Sequence, residues 1–295
     1  MTDMVAIANA AAGSSDDGTI AAVVEVLGRG GDVRLARTSD EDDLSAALRD
    51  LGDRTVVVLG GDGSLHAVVA ALDALGVLAT TPVALVPMGT GNDFAHTLGL
   101  SEEPLEAAAQ ALASPARPID LVRDGEGRLV VNAAHIGVGA EAGAKAEKYK
   151  RRWGRIGYTI GALLSSTAPG ARLRIEVDGV VLPSRGLVVQ VAVGNGRYVG
   201  GGTPLLPEAE PADGLLDVAV SWADAAPRRL GYVLRLRRGR HPERDDVEYT
   251  RARLVTVSGD PTRVTIDGEL YDASPRHRWE LVPGAMLMCY PTSAA

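Results

Sequence analysis

The chain has 295 residues, 46% hydrophobic and 23% charged, which describes a globular protein and excludes general disorder. Its net charge of −8 excludes a whole-molecule electrostatic match to nucleic acid or an anionic membrane, so such a contact requires a local basic patch. The single cysteine, Cys289, excludes a disulfide framework or a thiolate metal cluster and fits a reducing compartment.

The N-terminal "MTDMVAIANAAAG" lacks a basic n-region and reaches Asn9 too soon for a signal peptide, so a cytoplasmic protein is expected. From residue 4 to about 122, near-continuous apolar runs alternate with helix-length segments. The runs are "MVAIA" (4–8), "DVRLAR" (32–37), "TVVVLG" (55–60), "VALVP" (83–87) and "PIDLV" (118–122). Helices are expected near 17–28, 40–51, 64–76 and 101–113. Alternation of this kind predicts an α/β domain over 1–125 with a mostly parallel sheet covered on both faces. Ala67 to Gly89 is apolar, but Asp73, Gly76, Thr80, Thr81 and Pro82 divide it into helix, turn and strand, which argues against a membrane span.

Beyond about residue 128 the pattern becomes one of short strands and "DG" or "GD" turns. The segments are 129–139, 171–179, 186–195, 214–221, 252–260, 263–270 and 277–284. They predict an antiparallel β-sandwich over 126–284, interrupted by helical insertions at 141–166 and 227–238. A last strand within 285–292 could return to the first domain.

Three loops after parallel strands share one character: "NAAAG" (9–13), "GGDGS" (60–64) and "PMGTGND" (87–93). Glycine lets backbone approach a phosphate closely, and the following helix offers N–H groups to an anion. Any one loop taken alone reads more readily as a tight strand-to-helix turn. The acids Asp62 and Asp93 add a second argument, because a carboxylate beside phosphate needs a cation between them, and Mg²⁺ bridges the two. A nucleotide triphosphate with Mg²⁺ is expected, although no Walker A or protein-kinase motif is present.

"GGDGSLHAVV", "PMGTGNDFA" and "IDGEL" together resemble the diacylglycerol kinase catalytic family of lipid kinases, which includes the sphingosine and ceramide kinases. The likeness extends to "NAAAG" and to "PADGLLDV" (211–218). It implies ATP surrounded by Asn9, Ala10, Ala11, Ala12, Gly13, Thr38, Gly61, Asp62, Gly63, Ser64, Leu65, His66 and Thr90. Asp62 and Asp93 would organise Mg²⁺, and Glu269 of "DGE" would be the general base. Glu210, Asp213 and Leu215 would hold a second, structural Mg²⁺. His66, Ala67 and Ala10 depart from the family pattern, which bears on the adenosine side of the site. Read locally, "DGE" and "PADGLLD" are also ordinary turns.

The implied reaction is phosphoryl transfer from ATP to a lipid hydroxyl, with diacylglycerol giving phosphatidic acid as the leading case. A soluble acceptor in the manner of NAD kinases and a non-catalytic nucleotide-binding regulator are the alternatives. The basic, aromatic stretch 145–164 suggests transient contact with a membrane surface, and a second basic cluster lies at 228–241. Both read alternatively as solvated helix faces. Glycines around Tyr198 suggest a loop near the cleft, and the resemblance implies that this stretch lies close to the acceptor or the second metal. His96, His135, His241 and His277 lack metal-ligand spacing, no nucleic-acid motif is present, and the resemblance allows a homodimer.

Overall fold

The computed structural model describes residues 3–9, 17–137 and 170–291. The loop residues Ala10 to Gly13 and the stretch 145–164 therefore lie outside the described residues. The chain divides into two units, Met1–Asp120 with Pro283–Ala295, and Leu121–Val282.

The first unit is built on parallel strands β1 (Met4–Asn9), β2 (Val33–Thr38), β3 (Thr55–Gly60) and β4 (Pro82–Pro87). Their order in the sheet is β2-β1-β3-β4. Every residue of β3 is buried, which is why its sequence lacks a polar alternation. Helices α1 (Asp17–Leu27), α2 (Glu41–Leu48), α3 (Asp62–Ala74), α4 (Asp93–Thr97) and α5 (Pro104–Ala113) connect and cover the strands. Met4, Ala6 and Ala8 of β1 with Val57 and Leu59 of β3 face Ile20, Val23 and Leu27 of α1 and Ala107 and Ala108 of α5. On the other side α2 packs on α3, whose Leu65, Val68, Val69 and Leu72 are buried. Asp40 starts α2, its carboxylate accepting the Asp43 N–H at 2.8 Å.

The strand β5 (Ala116–Asp124) leads out of this unit. The second unit contains β6 (Leu129–Val130), β7 (Ala133–Gly137), β8 (Leu173–Val177), β9 (Val180–Val181), β10 (Gln190–Gly194) and the short pair β11 (Tyr198–Val199) and β12 (Thr203–Pro204). It continues with β13 (Leu216–Ser221), helix α6 (Ala226–Leu236), a 3₁₀ turn at His241–Glu243, β14 (Val247–Ala252), β15 (Leu254–Ile266) and β16 (Glu269–Cys289). The strands run β14-β13-β10-β7-β15-β16, and the registers from β14 to β16 are antiparallel. β15 pairs with β7 at Val264–Ile266 and with β8 at Val255–Gly259, so its two halves carry different neighbours around one core. That core holds Val191, Val193, Val218, Val220, Val255, Val257 and Trp279. Helix α6 packs outside it, Tyr232, Val233 and Leu236 lying on Ala192 and Ala219.

Two expectations about turns are corrected. Residues 252–260 and 263–270 are not two strands with a "GD" turn: Gly259 and Asp260 lie inside β15, where the register shifts through a bulge. A Cβ on Gly259 would stand 2.1 Å from the Arg172 carbonyl, so glycine permits the close strand contact. The true turn is Asp267–Gly268, with φ of 47° and 93°, which closes a two-residue hairpin between Ile266 and Glu269. β14 was also missing from the sequence reading, its "VEYTRA" being only partly apolar. At its far end β16 enters the first unit, where Leu287–Cys289 pair in parallel with Pro82–Ala84.

Candidate functional site

In the first unit the strand ends lie level, Asn9 opposite Thr38 and Gly60 opposite Pro87. The sheet order changes direction between β1 and β3, the place where open α/β sheets take ligands. Asn9 begins the loop on one side of that point, and Gly60 to Ser64 form the loop on the other.

Gly61 is the N-cap of α3 in extended backbone, and no side chain caps the helix. Nothing lies within 4 Å of where a Cβ on Gly63 would be. The loop after β4 packs directly on this turn. A Cβ on Gly89 would lie 2.7 Å from the Gly61 Cα and 2.8 Å from the Asn92 Oδ1, so the approach requires glycine. Asn92, left-handed at φ 52°, fixes the loop by accepting the Gly89 N–H at 3.1 Å and donating to its carbonyl at 3.0 Å.

Asp62 bridges the two loops. Its carboxylate accepts the backbone N–H of Asp93 and of Phe94, each at 3.0 Å, and so caps α4 from outside the helix. Asp93 is itself buried. A Cβ on Gly91 would lie 3.2 Å from Asp62 Oδ2 and 3.7 Å from Asp93 Oδ2, so both carboxylates border one small space that Gly91 leaves open. Two carboxylates suit Mg²⁺, which completes its octahedron with phosphate oxygens and water. Among the described residues no three His, Cys, Asp or Glu side chains form a metal-holding group.

Thr38 is buried at the end of β2, while Thr90 is exposed on the loop after β4 and His66 is half-buried on α3. The Leu65 side chain is buried in the core, leaving only its main chain for a ligand. Sequence reading passed over Asp120, a buried carboxylate that accepts the Gly284 N–H at 2.8 Å. An acid inside the apolar run "PIDLV" was the available signal.

In the second unit the Asp267 carboxylate anchors the hairpin that carries Glu269, accepting the N–H groups of Val131 at 2.7 Å, Asn132 at 2.9 Å and Ala133 at 3.1 Å. Glu269 is exposed, and the Tyr271 hydroxyl donates to its Oε2 at 2.9 Å. Burial, reinforced by Glu269, pushes the Tyr271 phenol up to about 12, which keeps it a donor. Arg128 lies over the Tyr271 ring at 4.0 Å and is gripped by Asp124 through contacts of 2.7 and 2.6 Å. A cavity of about 220 Å³ beside Arg128 is lined largely by charged groups such as Asp124, Arg276 and Arg278, a poor lining for acyl chains.

The Leu215 N–H donates to Asp213 Oδ1 at 3.0 Å, whereas Asp213 Oδ2 is paired with Arg251. Glu210 faces Arg197 at 4.0 Å. Arg251 occupies the Asp213 carboxylate, so a cation held by Glu210, Asp213 and Leu215 would have to displace that guanidinium. Behind it Asp217 is fully buried, and burial raises its carboxyl to about 6 despite the Tyr249 hydroxyl bond at 2.8 Å. The Tyr198 carbonyl accepts an Asn132 N–H at 2.8 Å. His241 is buried with Nε2 at 3.0 Å from the Leu205 carbonyl, and His277 stacks on Trp279.

Residues 3–123 match the diacylglycerol kinase catalytic domain model, and residues 132–290 match the YegS C-terminal NAD kinase beta sandwich-like domain model. This chain belongs to the diacylglycerol kinase catalytic family. The lipid kinase is 34% identical over 269 residues to a Pseudomonas putida protein named "Probable lipid kinase YegS-like", covering 89% of this chain and 86% of that one. It is 33% identical to a protein named diacylglycerol kinase from Mycobacterium tuberculosis strain H37Rv, over 91% of this chain and 85% of the relative. A crystal structure of a diacylglycerol kinase from Bacillus anthracis str. Sterne shares the fold of the lipid kinase. Its TM-score is 0.81 at 24% identity, over 100% of this chain and 98% of that one. The family implies use of ATP. No helix among the described residues of the lipid kinase is long and apolar enough to cross a membrane.

Proposed function

We propose that this lipid kinase transfers the γ-phosphoryl group of ATP, with Mg²⁺, to the hydroxyl of a membrane lipid, with diacylglycerol as the acceptor and phosphatidic acid as the product. The observation that carries this reading is the junction of the two glycine loops, where Asp62 and Asp93 border the space left open by Gly91. Bound Mg²⁺ would neutralise charge on the phosphates. The chain's own residues do the rest. The uncapped start of α3 presents backbone N–H groups to phosphate oxygens, and Gly63 leaves open space there for close approach, while Gly61 and Gly89 let the two loops pack on each other. Asp62 keeps α4 and Asp93 in register with the first loop. Glu269 would take the proton from the acceptor hydroxyl as the hydroxyl oxygen attacks the γ-phosphorus and the bond to the β-phosphate breaks to release ADP, with Tyr271 steadying the carboxylate.

Diacylglycerol is favoured because the N-terminal unit matches a domain model of that description and one relative bears that name. The test is transfer from radiolabelled ATP into a panel of lipids in mixed micelles, beside Glu269→Gln. Labelled phosphatidic acid that disappears in the variant supports the acceptor and the base. Label in another lipid changes the acceptor, and ATP binding without labelled lipid moves the reading to a soluble acceptor or a regulator.

A further inference from the structure

Helix α6 buries one face completely and leaves the other incompletely polar. Tyr232, Val233 and Leu236 pack into the second unit, while Leu230 and Leu234, one turn apart, are 49% and 47% exposed. Arg237 follows in helical backbone as the C-cap, with Arg238 beside it, so the spacing 230, 234, 237, 238 continues one stripe. Both arginines are exposed, and neither is paired with a carboxylate among the described residues. The surrounding arginines are engaged: Arg228 and Arg244 with Asp246, Arg229 with Asp224, and Arg235 and Arg240 with Glu243. Two unpaired cations beside two exposed leucines thus stand on a chain of net charge −8.

We propose that this face of α6 docks on the surface of an anionic phospholipid bilayer. Leucines at the acyl boundary with guanidinium groups at the phosphates is the arrangement by which an amphipathic helix lies in an interface. Charge complementarity selects that occupant. A second copy of the same stripe would offer leucines and arginines but no carboxylate to pair the guanidinium groups, and nucleic acid would leave the leucines uncovered. The purpose of the contact rests on the lipid-kinase reading, but its physics does not.

The test is sedimentation of the full chain with vesicles of phosphatidylcholine and phosphatidylglycerol, against phosphatidylcholine alone. Binding is expected only to the anionic vesicles and should weaken as salt rises. Arg237→Gln with Arg238→Gln should lower partitioning by about 30-fold, from roughly one kcal/mol per arginine. Leu230→Gln with Leu234→Gln should also release the protein while keeping the fold, because both side chains are half exposed and glutamine forms helix about as well as leucine. Wild-type protein that ignores anionic vesicles, or variants that bind as wild type does, would overturn the proposal. So would a leucine variant that turns a dimer into a monomer in sedimentation velocity, since the face would then join two copies. Turnover in detergent micelles, where docking is bypassed, separates the two readings. The variants should match wild type there, whereas a wild type inactive on every lipid would defeat the functional reading and leave the vesicle result standing.

Discussion

The carboxylate of Asp62 accepts both the Asp93 and the Phe94 backbone N–H at 3.0 Å, so one side chain both borders the candidate cation space and caps the helix bearing the second acid. The two duties can be separated. Asp62→Asn keeps an oxygen for one of the two N–H groups and should fold with little loss, yet lower kcat at least about 100-fold, the equivalent of a few kcal/mol of charge stabilisation. Asp62→Ala should lose the same activity and also about 1–2 kcal/mol of stability. Urea melts beside steady-state kinetics distinguish the variants.

Glycines 63 and 89 should respond oppositely to alanine. Gly89→Ala drives a methyl to 2.7 Å from the Gly61 backbone, and should cost about 1–3 kcal/mol in thermal unfolding as the loops part. Gly63→Ala meets nothing within 4 Å and lies in the first turn of α3, so it should melt at the same temperature or higher. Its kcat/KM for ATP should nonetheless fall, because the methyl stands where a phosphate must approach. Full activity in Gly63→Ala would remove phosphate from that helix end.

The Tyr271 hydroxyl is bonded to Glu269, so its removal should be felt at the proposed base. Tyr271→Phe retains the ring under Arg128 and removes only the hydroxyl, so kcat should fall several-fold, about 1 kcal/mol for one hydrogen bond, with KM for ATP unchanged. Glu269→Gln should cost about 10²–10⁴ in kcat, the span of a lost general base. An equal effect of Tyr271→Phe on KM would give the tyrosine a different role.

Asp217 makes stability depend on pH in an unusual direction. Its folded carboxyl titrates near 6 against 3.8 for the free side chain, so the folded state holds the extra proton between those values. Stability from this group is therefore full below about pH 4, declines as pH rises toward 6 and stays reduced above it, a loss on the order of 2–3 kcal/mol. Asp217→Asn preserves an acceptor for the Tyr249 hydroxyl and should stabilise the protein at pH 8 while changing little at pH 4. Denaturation midpoints at the two pH values measure the difference.

Much of this was legible in the residues, and what escaped has identifiable physics. Unbroken apolar runs revealed β1, β3 and β4 because strands covered on both faces have no polar side to disguise them. The glycines of both loops were visible, but the Gly61 to Gly89 contact was not, since it depends on β3 and β4 being parallel neighbours. "GD" at 259–260 was misread because a glycine bulge and a turn share their composition. The route from Asp124 through Arg128 and Tyr271 to Glu269 joins distant segments by side chains alone. Local pattern carries no trace of such pairings, and the same holds for Arg251 on Asp213.

The parallel pairing of Leu287–Cys289 with Pro82–Ala84 has a consequence for biosynthesis. A ribosome delivers β4 long before the segment that completes its sheet, so the nascent first unit must wait with one side of β4 unpaired. An apolar strand edge held open through synthesis is a template for association with other chains. Truncation before Leu287 should therefore yield aggregated first unit in place of a folded fragment.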